Sequence, residues 1–408
     1  MKNTTGSSRF FMRFKKIRLF LLGIFLFWNA AWAMTEEERS ERKVGFFYLG
    51  QVNCERIFRF LSSSDLVSSM LTRNSADEMR EAAFHVCSTH PLSINYKNIE
   101  DDLLFSIGRG YGKRMKILNL SHSTFNFCML RELPETLVHL SLDGVRSQNG
   151  SLVFIDELLR ALPKFKHLKE LIFNSNSRIT DASMAEMVLI AEVHGITKLH
   201  IACDAITDVG ASSIAMMPEI TDLNLKGNDI GPSGALNISL MEKVTKLHLS
   251  GNHVGDVGAS CISQMQNVTD LSLAANQITD VGAHHLSRMQ AVVNLNLAAN
   301  QITPVGASHL SRMQRVADLN LSVNQITDIG AVYVSGMQGV VSLALAENRI
   351  GDFGARVISQ MQGVSILNLS NNQISDDGAA SLFGMQGLTV LLLHGNNIQN
   401  LEQVGAFP

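Results

Sequence analysis

The 408 residues carry a formal charge of −3, with 46% hydrophobic and 17% charged side chains, a balance that excludes a disordered polyelectrolyte. An acidic chain is also a poor nucleic-acid binder on charge grounds. Cys54, Cys87, Cys128, Cys203 and Cys261 are odd in number and scattered, without the paired spacings of a zinc site or a disulfide framework.

The first 33 residues have the three-part layout of a secretory signal peptide. Lys2, Arg9, Arg13, Lys15, Lys16 and Arg18 make a basic start without an acid, an apolar run follows from Leu19 to Trp28, and Ala31-Trp32-Ala33 supplies the small-residue site. Its removal would take six positive charges with it, leaving −9, and would also remove both tryptophans, Trp28 and Trp32. The alternatives are an uncleaved membrane anchor and translation from Met34. This reading predicts an exported protein, with membrane contact only through this segment if it is kept.

Residues 34–95 change character, from a charged start at Glu36-Glu37-Glu38-Arg39 to apolar and polar residues at helical spacing. The stretch Cys54 to Leu66, with Ile57, Phe58 and Leu61 before a polar turn and then Asp65-Leu66, resembles the front half of an F-box. That resemblance implies a small helical domain docking on the adaptor subunit of a cullin-type ubiquitin ligase. Val52-Asn53 replaces the family's Leu-Pro opening, and Leu71-Thr72-Arg73-Asn74 stands where a basic-aromatic signature is expected. The bare residues also support a helical cap on a solenoid, with Asp65 as a helix N-cap and Ile57, Phe58 and Leu61 as a core stripe.

Between about 96 and 195 three strand-like triplets, centred on Leu118–Leu120, Leu140–Leu142 and Leu171–Phe173, are spaced by 22 and 31 residues, with 28 more to Leu199. These are degenerate repeats with insertions, so residues 143–157 and 174–194 are expected to be specificity loops.

From 196 to 408 the period is strict. Asparagine recurs every 24 residues from Asn228 to Asn396, and Leu199 to Leu391 opens an L-x-L or L-x-I triplet in nine successive units. A Gly-Ala pair recurs from Gly210-Ala211 to Gly378-Ala379, and methionine from Met217 to Met385. The unit V-x-x-L-x-L-x-x-N-x-I-[TG]-[DP]-x-G-A-x-x-[IL]-S-x-M-Q-x resembles a leucine-rich repeat of the GALA type found in bacterial proteins. The alternation within L-x-L predicts a short parallel strand, the asparagine a turn ladder, and the Asp or Pro after Thr or Gly the first turn of a helix. Ala283, Leu286 and Met289 would close that helix over the strands, with Gly282 allowing close packing on the neighbouring unit.

The expected fold is therefore an α/β leucine-rich-repeat solenoid, a horseshoe with a parallel concave sheet and convex helices, preceded by a small helical segment. Nine strands at about 4.8 Å give a surface of roughly 40 Å, long enough for a protein partner. The residues flanking the inward leucines are the candidate contacts: Lys198, His200, Asp222, Asn224, Lys226, Lys246, His248, Asp270, Asn294, Asn296, Asp318 and Asn320. Ile366, Val390 and Leu392 make this face apolar toward the carboxyl end, where the tail Leu401 to Pro408 follows. On the helix side Cys261, His285 and His309 share one repeat position, but helix separations of about 8–10 Å argue against a shared metal. No nucleophile–base motif, phosphate loop or metal-ligand spacing occurs, so the sequence predicts a non-enzymatic protein-binding module without cofactors, and the resemblance implies a bacterial effector or an exported binding or adhesion module.

Overall fold

The computed structural model describes residues 92–93, 115–147, 154–174, 179–203 and 205–399. The chain divides after residue 63 into two units, and every described residue belongs to the second. The signal-like segment, the F-box-like residues Ile57, Phe58, Leu61, Asp65 and Leu66, and the tail from 401 lie outside the described residues.

The repeats form an α/β solenoid. Thirteen parallel strands make one sheet in chain order: β1 (Leu92–Ser93), β2 (Ile117–Asn119), β4 (His139–Ser141), β6 (Glu170–Ile172) and then β7 to β15, one per 24-residue unit from Lys198–His200 to Val390–Leu392. A side ribbon of β3 (Thr124–Phe125) and β5 (Arg146–Ser147) pairs separately. Register follows the sequence period, with Leu199 opposite Leu223 and Leu271 opposite Leu295. The central leucines of β7 to β14 are at most 2% exposed, because a three-residue strand turns only its middle side chain toward the helices. The sheet reaches back to Leu92, ahead of the boundary near 95 read from the sequence.

Each unit turns sharply after its strand. The residue before every repeat asparagine adopts a left-handed backbone, from φ 52° at Ala275 to 70° at Gly395. Glycine fills this position at 227, 251 and 395, whereas Val323 occupies it with a β-branched side chain. The asparagine then satisfies what the turn exposes. Asn252 donates to Leu225 O and Leu249 O, both at 2.9 Å, and accepts from Ile230 N at 3.0 Å, so one buried amide ties two units together.

Helices pack over the sheet in the same register, among them α1 (Phe154–Ala161), α2 (Asp181–His194), α3 (Asp208–Ile214), α4 (Pro232–Ser239), α5 (Gly255–Ile262), α6 (Asp280–Leu286), α7 (Pro304–Leu310), α8 (Thr327–Ser335), α9 (Asp352–Ile358) and α10 (Asp376–Phe383). The methionine column is core, between 1% and 7% exposed.

The helix-opening aspartate caps the next helix rather than only its own. Asp256 accepts from Thr279 N at 2.8 Å, Thr279 Oγ1 at 2.6 Å and Gly282 N at 2.9 Å, all in the following unit. This helps explain the glycine wherever an aspartate precedes it: a Cβ on Gly282 would come within 2.6 Å of both Asp256 Oδ1 and Ile278 Cγ2, and 3.3 Å from Ala259 Cβ, whereas at Gly258 and Gly330 the crowding comes from Val254 Cγ1 at 2.6 Å and Ile326 Cγ2 at 2.5 Å in their own units. Close packing was legible in the sequence; the carboxylate it accommodates was not.

Proline at this position is accordingly not equivalent to aspartate. Pro232 and Pro304 sit in the first turn of α4 and α7, as expected, but offer no acceptor to the next unit. There the amides of Gly255 and Thr327 donate instead to Asn276 O and Asn348 O, each at 3.0 Å, one unit further on. Reaching those acceptors puts Gly255 at φ 59° and Thr327 at 56°, and the residues after the two asparagines, Gln277 and Arg349, at 60° and 59°. One missing carboxylate thus changes the backbone of two following units.

The insertions in the amino-terminal half are partly helical. Residues 181–194 form α2, rich in good helix formers and closed by Gly195 at φ 62°, and residues 154–157 begin α1. The loop expectation for 174–194 is corrected accordingly: this insertion mainly lengthens a helix.

Candidate partner-binding surface

A three-residue strand points its first and third side chains to the open face of the sheet, so the face is read as two columns. The structure places eleven of the twelve predicted residues there, on adjacent strands: Lys198 and His200, Asp222 and Asn224, Lys246 and His248, Asp270, Asn294 and Asn296, Asp318 and Asn320 fall in β7 to β12 at these positions, with Lys226 exposed just beyond β8. Adjacent units bring opposite charges together. His200 Nε2 lies 2.9 Å and Lys198 Nζ 3.7 Å from the Asp222 carboxylate, and His248 Nε2 lies 3.3 Å from Asp270 Oδ1.

The column Glu170, Lys198, Asp222, Lys246, Asp270 therefore alternates in sign along the sheet. Burial alone would raise the Asp222 carboxyl, but the hydrogen bond with His200 and the charges of His200, Lys198 and Lys246 outweigh it and hold the group below the usual carboxylate range. Lys246, Asn294 and Asp318 are the exposed members; Lys198, His200 and Asp222 are half-buried in their own pairing. The asparagines at the third strand position carry a second duty, since Asn224, Asn296 and Asn320 accept from the amides of Lys226, Ala298 and Ser322 and so end their strands.

Sequence reasoning stopped two strands short. His139 and Glu170 occupy the first column in β4 and β6 and pair at 2.8 Å, extending the charged ladder into the degenerate repeats. The residues flanking Leu140 and Leu171 carried that signal. At the other end Ile366, Val390 and Leu392 are 40–43% exposed, an apolar end to the same face.

On the helix side His284 packs against His309 at 4.6 Å between ring centroids, and His285 is 5.8 Å from His284 with its Nδ1 turned 3.4 Å from Ser260 Oγ. Burial lowers the His309 pKa and the neighbouring His284 and Arg312 lower it further, against a smaller opposing effect of Asp280. Among the described residues no group of three or more His, Cys, Asp or Glu side chains is placed to hold a metal ion, and Cys128, Cys203 and Cys261 are free. No helix among the described residues is long and apolar enough to cross a membrane.

Residues 242–302 and 338–398 match the leucine-rich-repeat family model, and residues 219–239 match a second leucine-rich-repeat model. The described fold is thus a leucine-rich-repeat solenoid. Similar solved structures include an internalin, InlF, from Listeria monocytogenes (20% identity, 76% of this chain and 87% of that one, TM-score 0.48). A second is internalin C2 from the same organism (25% identity, 53% and 84%, TM-score 0.41). A third is the ectodomain of the receptor kinase GASSHO1/SCHENGEN3 from Arabidopsis thaliana (17% identity, 84% and 44%, TM-score 0.49). The chain spans less than half the length of that plant ectodomain. No curated protein matches the sequence.

Proposed function

We propose that this chain is a non-enzymatic recognition protein that binds a protein partner on the open face of its parallel sheet. One observation carries the reading: the strand leucines, the asparagine ladder and the aspartate caps lock everything around two solvent-facing columns, whose side chains vary from unit to unit on a fixed frame. Such a face supplies a rigid, preorganised surface, and the exposed Lys246, Asn294 and Asp318 are its accessible polar contacts. The test is substitution of Lys246 and Asp318 to alanine together: partner binding weakens at least tenfold while thermal stability holds, and unchanged binding refutes the assignment.

The finer reading rests on the sequence resemblances. GALA-type repeats behind an F-box-like segment fit an exported bacterial effector that docks on the adaptor of a host cullin-type ubiquitin ligase while the repeats select the substrate. Pull-down of the adaptor by the full chain, and its loss on Ile57→Asp with Leu61→Asp, tests this; no association sinks it. The departures at Val52-Asn53 and Leu71 to Asn74 favour the other reading, an exported binding or adhesion module without a ubiquitin connection. That reading keeps the same binding face and predicts no adaptor contact.

A further inference from the structure

The helix layer carries a surface that the concave face does not explain. The residue after the helix-opening Asp or Pro is Val257, Val281, Val305, Ile329 and Phe353 in five successive units, and each is 56–65% exposed. Scattered exposed aliphatics are ordinary; a row of five in one repeat register, spanning about 30–40 Å across neighbouring helices, is not. Val332 and Tyr333 widen it in α8 at 42% and 43% exposure.

A second line runs beside the first. Arg288 and Arg312 stand at one repeat position in the turns that follow α6 and α7, just past the C-caps Ser287 and Ser311. Both are exposed, as are Arg315 and Arg356, and none of the four makes an ion pair within 4 Å among the described residues. The acids of the layer between 255 and 364 are Asp256, Asp280, Asp328 and Asp352, all half-buried and turned into the next unit as caps. Outward charge on this stretch is therefore basic although the chain as a whole is acidic.

We infer that this helix face docks on an anionic lipid surface, the apolar row entering the headgroup boundary and the arginines meeting lipid phosphates and carboxylates. The side chains of the row protrude one per helix, joined on α8 by Val332 and Tyr333, an arrangement that suits a deformable lipid interface better than a shaped protein partner. Juxtaposed exposed apolar and cationic side chains are the chemistry such a surface recognises.

The experiment uses the full chain with vesicles of phosphatidylcholine alone or mixed with phosphatidylserine, reading side-chain exposure by hydroxyl-radical labelling and mass spectrometry. This localises contact whatever the amino-terminal residues do. Phosphatidylserine vesicles should suppress labelling at Tyr333 and Phe353 several-fold and leave Ile366 and Leu392 on the opposite face unchanged. Arg288→Ala with Arg312→Ala should weaken that protection about fivefold per arginine, and Val281→Ser with Val305→Ser should remove it with the circular dichroism spectrum unaltered. Equal protection by neutral vesicles, protection retained in the arginine variant, or none with either vesicle would overturn the inference. Protection by polyglutamate and not by vesicles would do the same, pointing to an acidic protein.

Discussion

Pro304→Asp should stabilise the protein, although it removes a proline from a favourable first-turn position. The preceding unit shows the gain: Asp280 accepts from Thr303 N at 2.8 Å, Thr303 Oγ1 at 2.6 Å and Gly306 N at 2.8 Å. A carboxylate at 304 would offer the same to Thr327 and Gly330, a cap worth about 1–2 kcal/mol. It would also let Thr327 and Arg349 leave the left-handed region, where each non-glycine residue costs about 1–2 kcal/mol. Against this stand about 0.5–1 kcal/mol for the lost proline restriction and the exchanged Thr327 N–Asn348 O bond. The net is a gain of about 2 kcal/mol, read as a rise of a few degrees in the melting midpoint and slower hydrogen exchange at Gly330. Thr327→Gly alone should recover about 1 kcal/mol, and nothing when combined with Pro304→Asp. A lowered midpoint for Pro304→Asp, or an additive double variant, would refute the inter-unit cap as the cause of the altered backbone.

Gly282→Ala should destabilise by about 2–3 kcal/mol, against the usual helix gain of about 1 kcal/mol, because the new methyl displaces the Asp256 cap; chemical denaturation of the variant checks the sign. Val323→Asn should raise stability by about 1 kcal/mol in the same assay, since it replaces a β-branched residue at φ 56° that is 44% exposed. Stability should also fall in acid through the Asp352 cap. Burial tends to raise the Asp352 carboxyl, but hydrogen bonds from the Ser375 side chain and the Ser375 and Gly378 amides, with Arg356 nearby, hold it below its usual value. Its contribution is thus complete above an unfolded carboxylate pKa of about 4 and is lost as pH falls through the lower folded value, and Asp352→Asn should flatten that slope in a pH series of thermal melts.

Much of this was legible in the sequence because a solenoid repeats its physics. Leucine and asparagine recur at a fixed spacing, so strand, inward face and turn followed from periodicity, as did eleven contact positions on the strands. What escaped were interactions that cross between units. The Asp256 carboxylate serves Gly282, and the backbone cost of Pro304 appears at Thr327 and Arg349; a reading confined to one repeat assigns each residue to its own helix. The left-handed column was signalled by Gly227, Gly251 and Gly395, but Val323 and Glu347 at the same position masked it. The degenerate half was harder still, since an insertion reads as a loop unless its helix formers are counted, as with Asp181 to His194.

The claim that the open sheet face is where a protein partner binds is tested most directly by site-specific photo-crosslinking. A photoreactive residue at Asn294, exposed on that face, should give a discrete protein adduct that excess unlabelled chain competes away, whereas one at Gln264, exposed on the helix side, should give none. A competed protein adduct from Gln264 with none from Asn294 would contradict the account.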